Sequence, residues 1–429
     1  MRIYCLAITA LVCLGGNLFA QKDQDKYFNP KEVERIERVL SSDDMGGRKP
    51  FTEGIEKAAD FISAEFKAAG LKMLPGATGF RQPFEVLSPI IKEVTGKFND
   101  EEVKASQLVV ISALPVLHLT EKSGYEMMEI KAGVNLATEA ARMMAMKKNL
   151  IVVVDTSFPR SINYLGRLSR RFFKSEISVV FIVAAKASPV FDITIKQDVV
   201  AQKLANVVGI IPGKSKKNEY VIFSGHYDHL GIGKPVNGDS IFNGANDDAA
   251  GTTAVIMLAK YFKQLGNNER TIVFATFTAE ESGGYGARYF SQQFDPATVM
   301  AMFNIEMIGT DSKWGNNSAY ITGYEKTNMG EILAKNLKGT EFTFHPDPYI
   351  TENLFYRSDN ATLARLGVPA HTISTSKMDS EKYYHTVDDE IETLDLNNMA
   401  MIIKAIAKSS VSIINGKDTP SRVDTSTLK

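Results

Sequence analysis

Along the second half of the chain, apolar residues fall into short continuous runs separated by stretches with helical spacing. The runs at 206–211, 220–225, 271–278, 299–306 and 368–374 read as strands, and 249–265, a segment containing 332–337, and 396–414 read as helices. Strands that are apolar throughout, rather than alternating, are those covered on both faces. The pattern therefore predicts an α/β fold with a mixed, mainly parallel central sheet sandwiched by helices. Residues 28–90 begin with helical spacing (Val33, Ile36, Val39, Leu40). A polar break at 41–48 follows, and then a second amphipathic helix at 53–69 carries Ile55, Ala58, Phe61, Ile62 and Phe66 on one face. Residues 91–190 change character: runs at 108–111, 150–154 and 179–183 flank a Met- and Ala-rich helix at 137–146 and a basic stretch at 167–174, read as a solvated helix face. This stretch is expected to be a small inserted α/β domain within a catalytic domain formed by 21–90 and 191–416, with 417–429 a polar, disordered tail.

The first residues read differently again. One cation, Arg2, precedes a short apolar run ending near Leu14, and small and polar residues lead to Ala20. The run is too short to span a bilayer and suits the apolar region of an export signal, with residues 1–20 removed after Ala20 and the product delivered to the periplasm or the exterior. Cys5 and Cys13 are the two cysteines of the chain. Both lie in that segment, so the mature chain is expected to hold no disulfide, thiolate metal site or cysteine nucleophile. Composition is that of a globular protein, with 44% hydrophobic and 23% charged residues, and the net charge of −1 favours neither nucleic acid nor an anionic membrane as partner.

Candidate chemistry gathers where the predicted strands end. The run at 220–225 leads into His226-Tyr227-Asp228-His229, the run at 271–277 into Ala279-Glu280-Glu281, and the run near 299–305 into Glu306. Ligands of open α/β sheets bind at such carboxyl ends. Tandem aspartates, Asp247 and Asp248, open the helix at 249–265, and Tyr384-His385 sits in a polar loop before the last helix. Each feature alone has an ordinary explanation, such as an N-cap aspartate or a solvated glutamate. Together at one sheet edge they are costly unless cations or protons offset the carboxylate repulsion. Imidazoles with carboxylates suit a divalent metal pair, zinc first. In His226-x-Asp228 the aspartate can accept the second imidazole proton and fix the tautomer. An aspartate shared between metals roughly 3.5–4 Å apart is the clamp of hydrolytic two-metal centres. Of two adjacent glutamates only one can face a given metal, leaving its neighbour placed as a general base.

These motifs, His226-Tyr-Asp228-His-Leu-Gly231, Gly244-Ala-Asn-Asp247-Asp-Ala-Ala-Gly251, Ala279-Glu280-Glu281-Ser-Gly283, Asn304-Ile-Glu306-Met-Ile-Gly309 and Tyr384-His385-Thr386, resemble in type and order those of the zinc aminopeptidase and carboxypeptidase family M28. The stretch Leu40 to Arg48, and Ser358-Asp359 before Gly367-Val-Pro369, are similar to bacterial members. The resemblance covers about 28–90 and 190–415. It implies an exported, zinc-dependent exopeptidase, most simply an aminopeptidase acting on peptides, with two zinc ions per chain. By motif match Asp247 bridges, His226 and Glu306 complete one metal site, and Glu281 and His385 the other. Glu280 would be the general base, Asp228 the orienter of His226, and Tyr384 the hydroxyl that steadies an oxyanion. Glu306 stands where the family usually has Asp, and the extra methylene alters its reach. Residues 91–190 occupy the place of the family's protease-associated insertion without a strong matching motif. His229 is read as lying outside the ligand set, and His118, His345 and His371 carry no assigned role. The alternatives are a carboxypeptidase of the same family, a single-zinc glutaminyl-peptide cyclotransferase, and a binding module with a decayed site. Specificity is assigned to loop residues such as Phe355, Tyr356 and Arg357.

Overall fold

The computed structural model describes residues 26–158 and 161–428. The expected export segment, with Cys5 and Cys13, lies outside the described residues. Among the described residues no helix is long and apolar enough to cross a membrane. The chain divides into two compact units, one comprising residues up to Pro83 with Ala205 onward, the other Phe84–Leu204. The boundaries fall inside two long strands, Arg81–Phe98 and Phe191–Ile211, which is why the apolar-run pattern does not mark them.

In the larger unit we label the strands β1 (Phe191–Ile211, of which the last residues belong here), β2 (Lys216–His226), β3 (Arg270–Phe277), β4 (Val299–Ile305), β5 (Ser318–Ile321), β6 (Thr343–Pro346) and β7 (Ala370–Ser374). Their order across the sheet is β6-β5-β7-β4-β2-β3-β1. The pairs β3/β2, β4/β2, β4/β7 and β5/β6 are parallel, and β3/β1 and β5/β7 are antiparallel. Among the central strands β3 is buried at every position, β4 at all but one, and β2 from Val221 onward, as expected for a sheet covered on both faces. The helices are α1 (Pro30–Leu40), α2 (Glu53–Ala69), α3 (Ala250–Leu265), α4 (Tyr285–Ser291), α5 (Met329–Leu337), α6 (Asn360–Ala364) and α7 (Leu396–Ile414). One core holds α1, α2, α3, α5 and α7 against one face, around Phe223, Phe262, Phe274 and Phe303. A second core packs α4 and α6 against the other face, around Phe277, Phe290 and Leu363.

Local signals explain the helix ends. Asn29 caps α1 by accepting the Glu32 amide at 3.0 Å, with Pro30 in the first turn. Gly70, at φ 77°, closes α2 in the left-handed conformation that glycine adopts without steric cost. Residues 417–428, expected to be disordered from their polar composition, are packed instead. The buried Arg270 donates to the Ile413 and Asp418 carbonyls, each at 2.8 Å, and Arg422 to the Val299 carbonyl at 2.7 Å, while Val423 is buried. Two guanidiniums thus satisfy backbone that composition alone would leave to water.

The smaller unit carries a sheet ordered Leu108–Ile111, Val179–Val183, Leu150–Val154, Glu126–Ile130, with the first pair antiparallel and the others parallel. Helices Leu136–Ala145 and Ser161–Ser169 belong to the same unit. Val116–Thr120 pairs antiparallel with the first half of β1, burying Leu117 and Ile195 opposite one another.

A buried acid on α1 gives one stability prediction. Glu37 accepts from Thr253 Oγ1 at 2.7 Å, its other oxygen has no partner, and burial pushes its pKa up to about 8. The folded value lies above the unfolded one, so the stability tied to its proton is complete below about pH 4 and is lost as pH rises through about 8. Glu37→Gln should therefore flatten the fall in Tm between about pH 5 and pH 9 while leaving the acidic value nearly unchanged. Parallel Tm curves for variant and parent would show that Glu37 ionises in the folded protein much as it does in the unfolded chain.

Candidate metal centre

The sheet delivers its polar residues to one edge. His226 is the last residue of β2 and pairs in register with Phe277 at the end of β3. Glu280 and Glu281 lie just past β3, and Glu306 directly follows β4. Asp247 and Asp248 occupy the turn Ala245–Ala249 that feeds α3, joined by a cis peptide. His385 lies in the loop between β7 and α7. Ala279, Met307 and His385 have φ of 59°, 52° and 58°. Non-glycine residues in this left-handed region are strained, and such strain concentrates at functional sites.

Two groups of donor atoms share Asp247. In the first, the donor atoms of His226, Asp247 and Glu306 all lie within 4.8 Å of one another, with His226 Nε2 3.2 Å from Asp247 Oδ1. The added methylene of Glu306 therefore does not keep it out of the cluster. In the second, His385 Nε2 lies 3.2 Å from Asp247 Oδ2 and 3.1 Å from Glu281 Oε1. His229 Nδ1 stands 3.1 Å from the same Glu281 oxygen and 3.9 Å from Asp247 Oδ2. The sequence reading set His229 apart from the ligands, whereas the structure turns its ring into this group.

Around these donors is a frame that sequence reasoning did not assign. The Asp248 carboxylate accepts the backbone amides of His226, Gly251 and Met307 at 3.0–3.1 Å. A Cβ on Gly251 would stand 2.4 Å from that carboxylate, so only glycine admits so close an approach. Asp389 accepts the amides of Asn246 and Asp247 at 2.8 and 3.0 Å, and Asn246 Oδ1 accepts the Gly309 amide at 2.8 Å. Arg48, buried, donates to the carbonyls of Leu40, Tyr227, Asn243 and Gly244. It thereby ties the His226–His229 turn to the Asn243–Asp248 turn. Arg48 stands in a stretch the sequence flags by resemblance, but nothing in the sequence shows which backbone it reaches.

Asp228 sits beside His226, though through different atoms from those expected. His226 Nδ1 lies 3.1 Å from the Asp228 carbonyl oxygen and 3.8 Å from its carboxylate. The carboxylate instead accepts the Glu280 amide at 3.0 Å. Either acceptor leaves Nε2 free to face Asp247. Tyr384 stacks on His385, with ring centroids 3.9 Å apart. Its ring helps line a small cavity of about 50 Å³ with Glu306, Tyr320, Ser374 and Met378. Glu280 opens instead on a neighbouring groove of about 500 Å³ that Tyr356, Arg357 and Asp359 also line, and Phe355, named with them, is buried in the core. The remaining histidines have structural partners. His371 is buried between Thr327 Oγ1 and the Thr322 carbonyl, each at 2.8 Å, His345 stacks on Trp314, and His118 pairs with Asp192.

The electrostatics of the cluster suit a cation. Burial pushes the Glu306 carboxyl up to about 7, against the pull of His226, and burial likewise pushes Asp228 and Asp389 up to about 6. Burial alone would lower His385, yet the Asp247 and Glu281 carboxylates hold it up to about 10. Such a cluster retains protons that a divalent ion would displace. His226 Nε2, both ring nitrogens of His229 and Glu306 Oε2 are buried with no hydrogen-bond partner, His226 Nε2 being near Asp247 but outside hydrogen-bonding geometry. Buried polar atoms are seldom left this way without another ligand. Imidazole and carboxylate donors match zinc.

Fold and site together bring two sets of imidazole and carboxylate donors to one sheet edge, as a divalent metal centre requires. Residues 206–410 match the model of Peptidase family M28. Over these residues the chain resembles members of that family. Among curated relatives it is similar to Leucine aminopeptidase 1 of Ajellomyces dermatitidis, 29% identical over 210 residues, which are 45% of this chain and 52% of that protein. It is also similar to Leucine aminopeptidase 1 of Emericella nidulans, 28% identical over 207 residues, covering 45% and 51%. The alignments thus span about half the length of these relatives. The fold is that of an aminopeptidase from Aneurinibacillus sp. strain AM-1, with TM-score 0.54, 17% identity, and coverage of 94% and 97% of the two chains. A zinc aminopeptidase from Bacillus subtilis superposes with TM-score 0.52, 17% identity and coverage of 92% and 98%.

Proposed function

We propose that the chain is a zinc-dependent aminopeptidase that removes N-terminal residues from peptides through two metal ions sharing Asp247. The observation that carries this reading is the pair of donor groups meeting at one buried carboxylate, with the uncommitted Glu280 beside them. Support for the aminopeptidase polarity comes from the similar proteins and structural neighbours, which are aminopeptidases. His226 and Glu306 hold one metal and Glu281 and His385 the other. Zinc there supplies Lewis acidity toward the scissile carbonyl and acidifies the attacking water.

The chain's own residues do the rest. Asp228 fixes the Glu280 backbone through its amide and keeps the His226 ring turned to the cluster. Glu280 takes the proton of the attacking water and passes it to the leaving amine. Tyr384, at the wall of the small cavity beside Glu306, donates its hydroxyl to the developing oxyanion. That cavity receives the side chain of the residue being released. The enzyme acts after export to the periplasm or exterior, and Phe84–Leu204 stands in the place of the family's insertion.

Incubating the zinc-loaded protein with a mixed peptide pool, with and without chelator, tests the reading by mass spectrometry. Loss of N-terminal residues is expected, abolished by chelator and restored by zinc. Carboxyl-terminal trimming would reverse the polarity, ammonia loss from N-terminal Gln would assign a cyclotransferase, and an unchanged pool would remove the enzymatic reading.

A further inference from the structure

We infer that His229 is itself a metal ligand, so that the two sites are unequal: His229, Asp247, Glu281 and His385 form a closed four-donor site, and His226, Asp247 and Glu306 form an open three-donor site. This rests on the two-metal reading above and deepens it.

Tetrahedral zinc with bonds of roughly 2.0–2.1 Å places its donors roughly 3.3 Å apart along each edge. The donor atoms of His229, Asp247 and Glu281 all lie within 4.8 Å of one another, with His229 3.1 Å from Glu281 and 3.9 Å from Asp247, and His385 meets Asp247 and Glu281 at 3.2 Å and 3.1 Å. His229 thus stands at a vertex rather than behind one. Its ring is fully enclosed, and neither nitrogen has a hydrogen-bond partner. The fold makes room for it: a Cβ on Gly244 would lie 2.5 Å from the imidazole ring. Its amide is held to the Arg48 carbonyl at 3.3 Å, so the turn is fixed from the side away from the donors.

A ring that only oriented Glu281 would need one hydrogen bond to that carboxylate. It would have no reason to approach the Asp247 oxygen that His385 also faces. Structural zinc sites are closed by four protein donors, whereas catalytic sites keep a position for water or substrate. The closed site therefore anchors the shared aspartate, and the substrate carbonyl is taken at the His226 and Glu306 side, where Glu306 and Tyr384 wall the small cavity.

Zinc-edge X-ray absorption of the intact protein, loaded first with one and then with two equivalents of zinc, decides the matter without relying on activity. The expected spectra contain two imidazoles on the first zinc, and three shared between both zinc ions when loading is complete. His229→Gln can still donate to Glu281 but ligates poorly. It should remove one imidazole from both spectra and weaken the tighter site by more than the roughly 100-fold typical of losing a group behind a ligand. One imidazole per zinc in the parent protein, with His229→Gln binding zinc as the parent does, would overturn the inference alone and leave His229 a hydrogen-bond partner of Glu281. Failure of the folded parent to bind zinc at all would overturn the proposed function and this inference together.

Discussion

Glu280→Gln is expected to lower kcat by roughly 10²–10⁴-fold while leaving KM and bound zinc unchanged. Glu281 is occupied with His229 and His385, whereas Glu280 faces the open groove. Its backbone amide, not its side chain, is the atom held by Asp228, so the amide isostere keeps that contact and loses only the basic oxygen. The loss should appear in kcat because proton transfer is made in the transition state and not on binding. Zinc content and kinetics measured on one preparation separate the outcomes. Loss of zinc would make Glu280 a ligand, and undiminished kcat would place the base elsewhere.

Arg48→Met should destabilise the protein by about 3–5 kcal/mol, with Tm falling on the order of 10 °C. The buried guanidinium serves carbonyls of Leu40, Tyr227, Asn243 and Gly244 and lies near the Glu37, Asp389, Asp228 and Asp247 carboxylates. Methionine fills similar volume but leaves those acceptors unsatisfied and the acids without their cation. Arg48→Lys should rescue little, because one ammonium cannot reach carbonyls arranged around a planar fork. Calorimetry of the three proteins checks this, and full recovery by lysine would mean that charge alone is required. Because the same carbonyls belong to the turns carrying His226 and Asp247, zinc affinity should fall along with Tm.

What could be read in advance follows from where the physics is local. Continuous apolar runs announce β2, β3, β4 and β7, and the closing helix is bounded as the periodicity indicates, because a doubly covered strand needs no partner to declare itself. The short strands β5 and β6, four residues each, carry no such signal and depend on their neighbours for pairing. The same division holds at the site. His226, Glu281 and Glu306 are legible because strand ends place them, while the approach of His229 to Glu281 and of Asp389 to the Asp247 amide depends on how distant loops close. The place of Asp228 beside His226 is legible, but not the atom that approaches: its carbonyl lies nearer the imidazole than its carboxylate.

The backbone of the turn bearing Asp247 is fixed by Asp389, Asp248 and Asn246 acting through main-chain amides. Its conformational entropy is therefore surrendered when the chain folds and not when an ion arrives. Ion capture then carries little ordering cost, and choice among divalent ions falls to donor type and spacing rather than to adaptation of the loops. Metal exchange in such a socket is governed by the route of entry and by proton release, not by refolding.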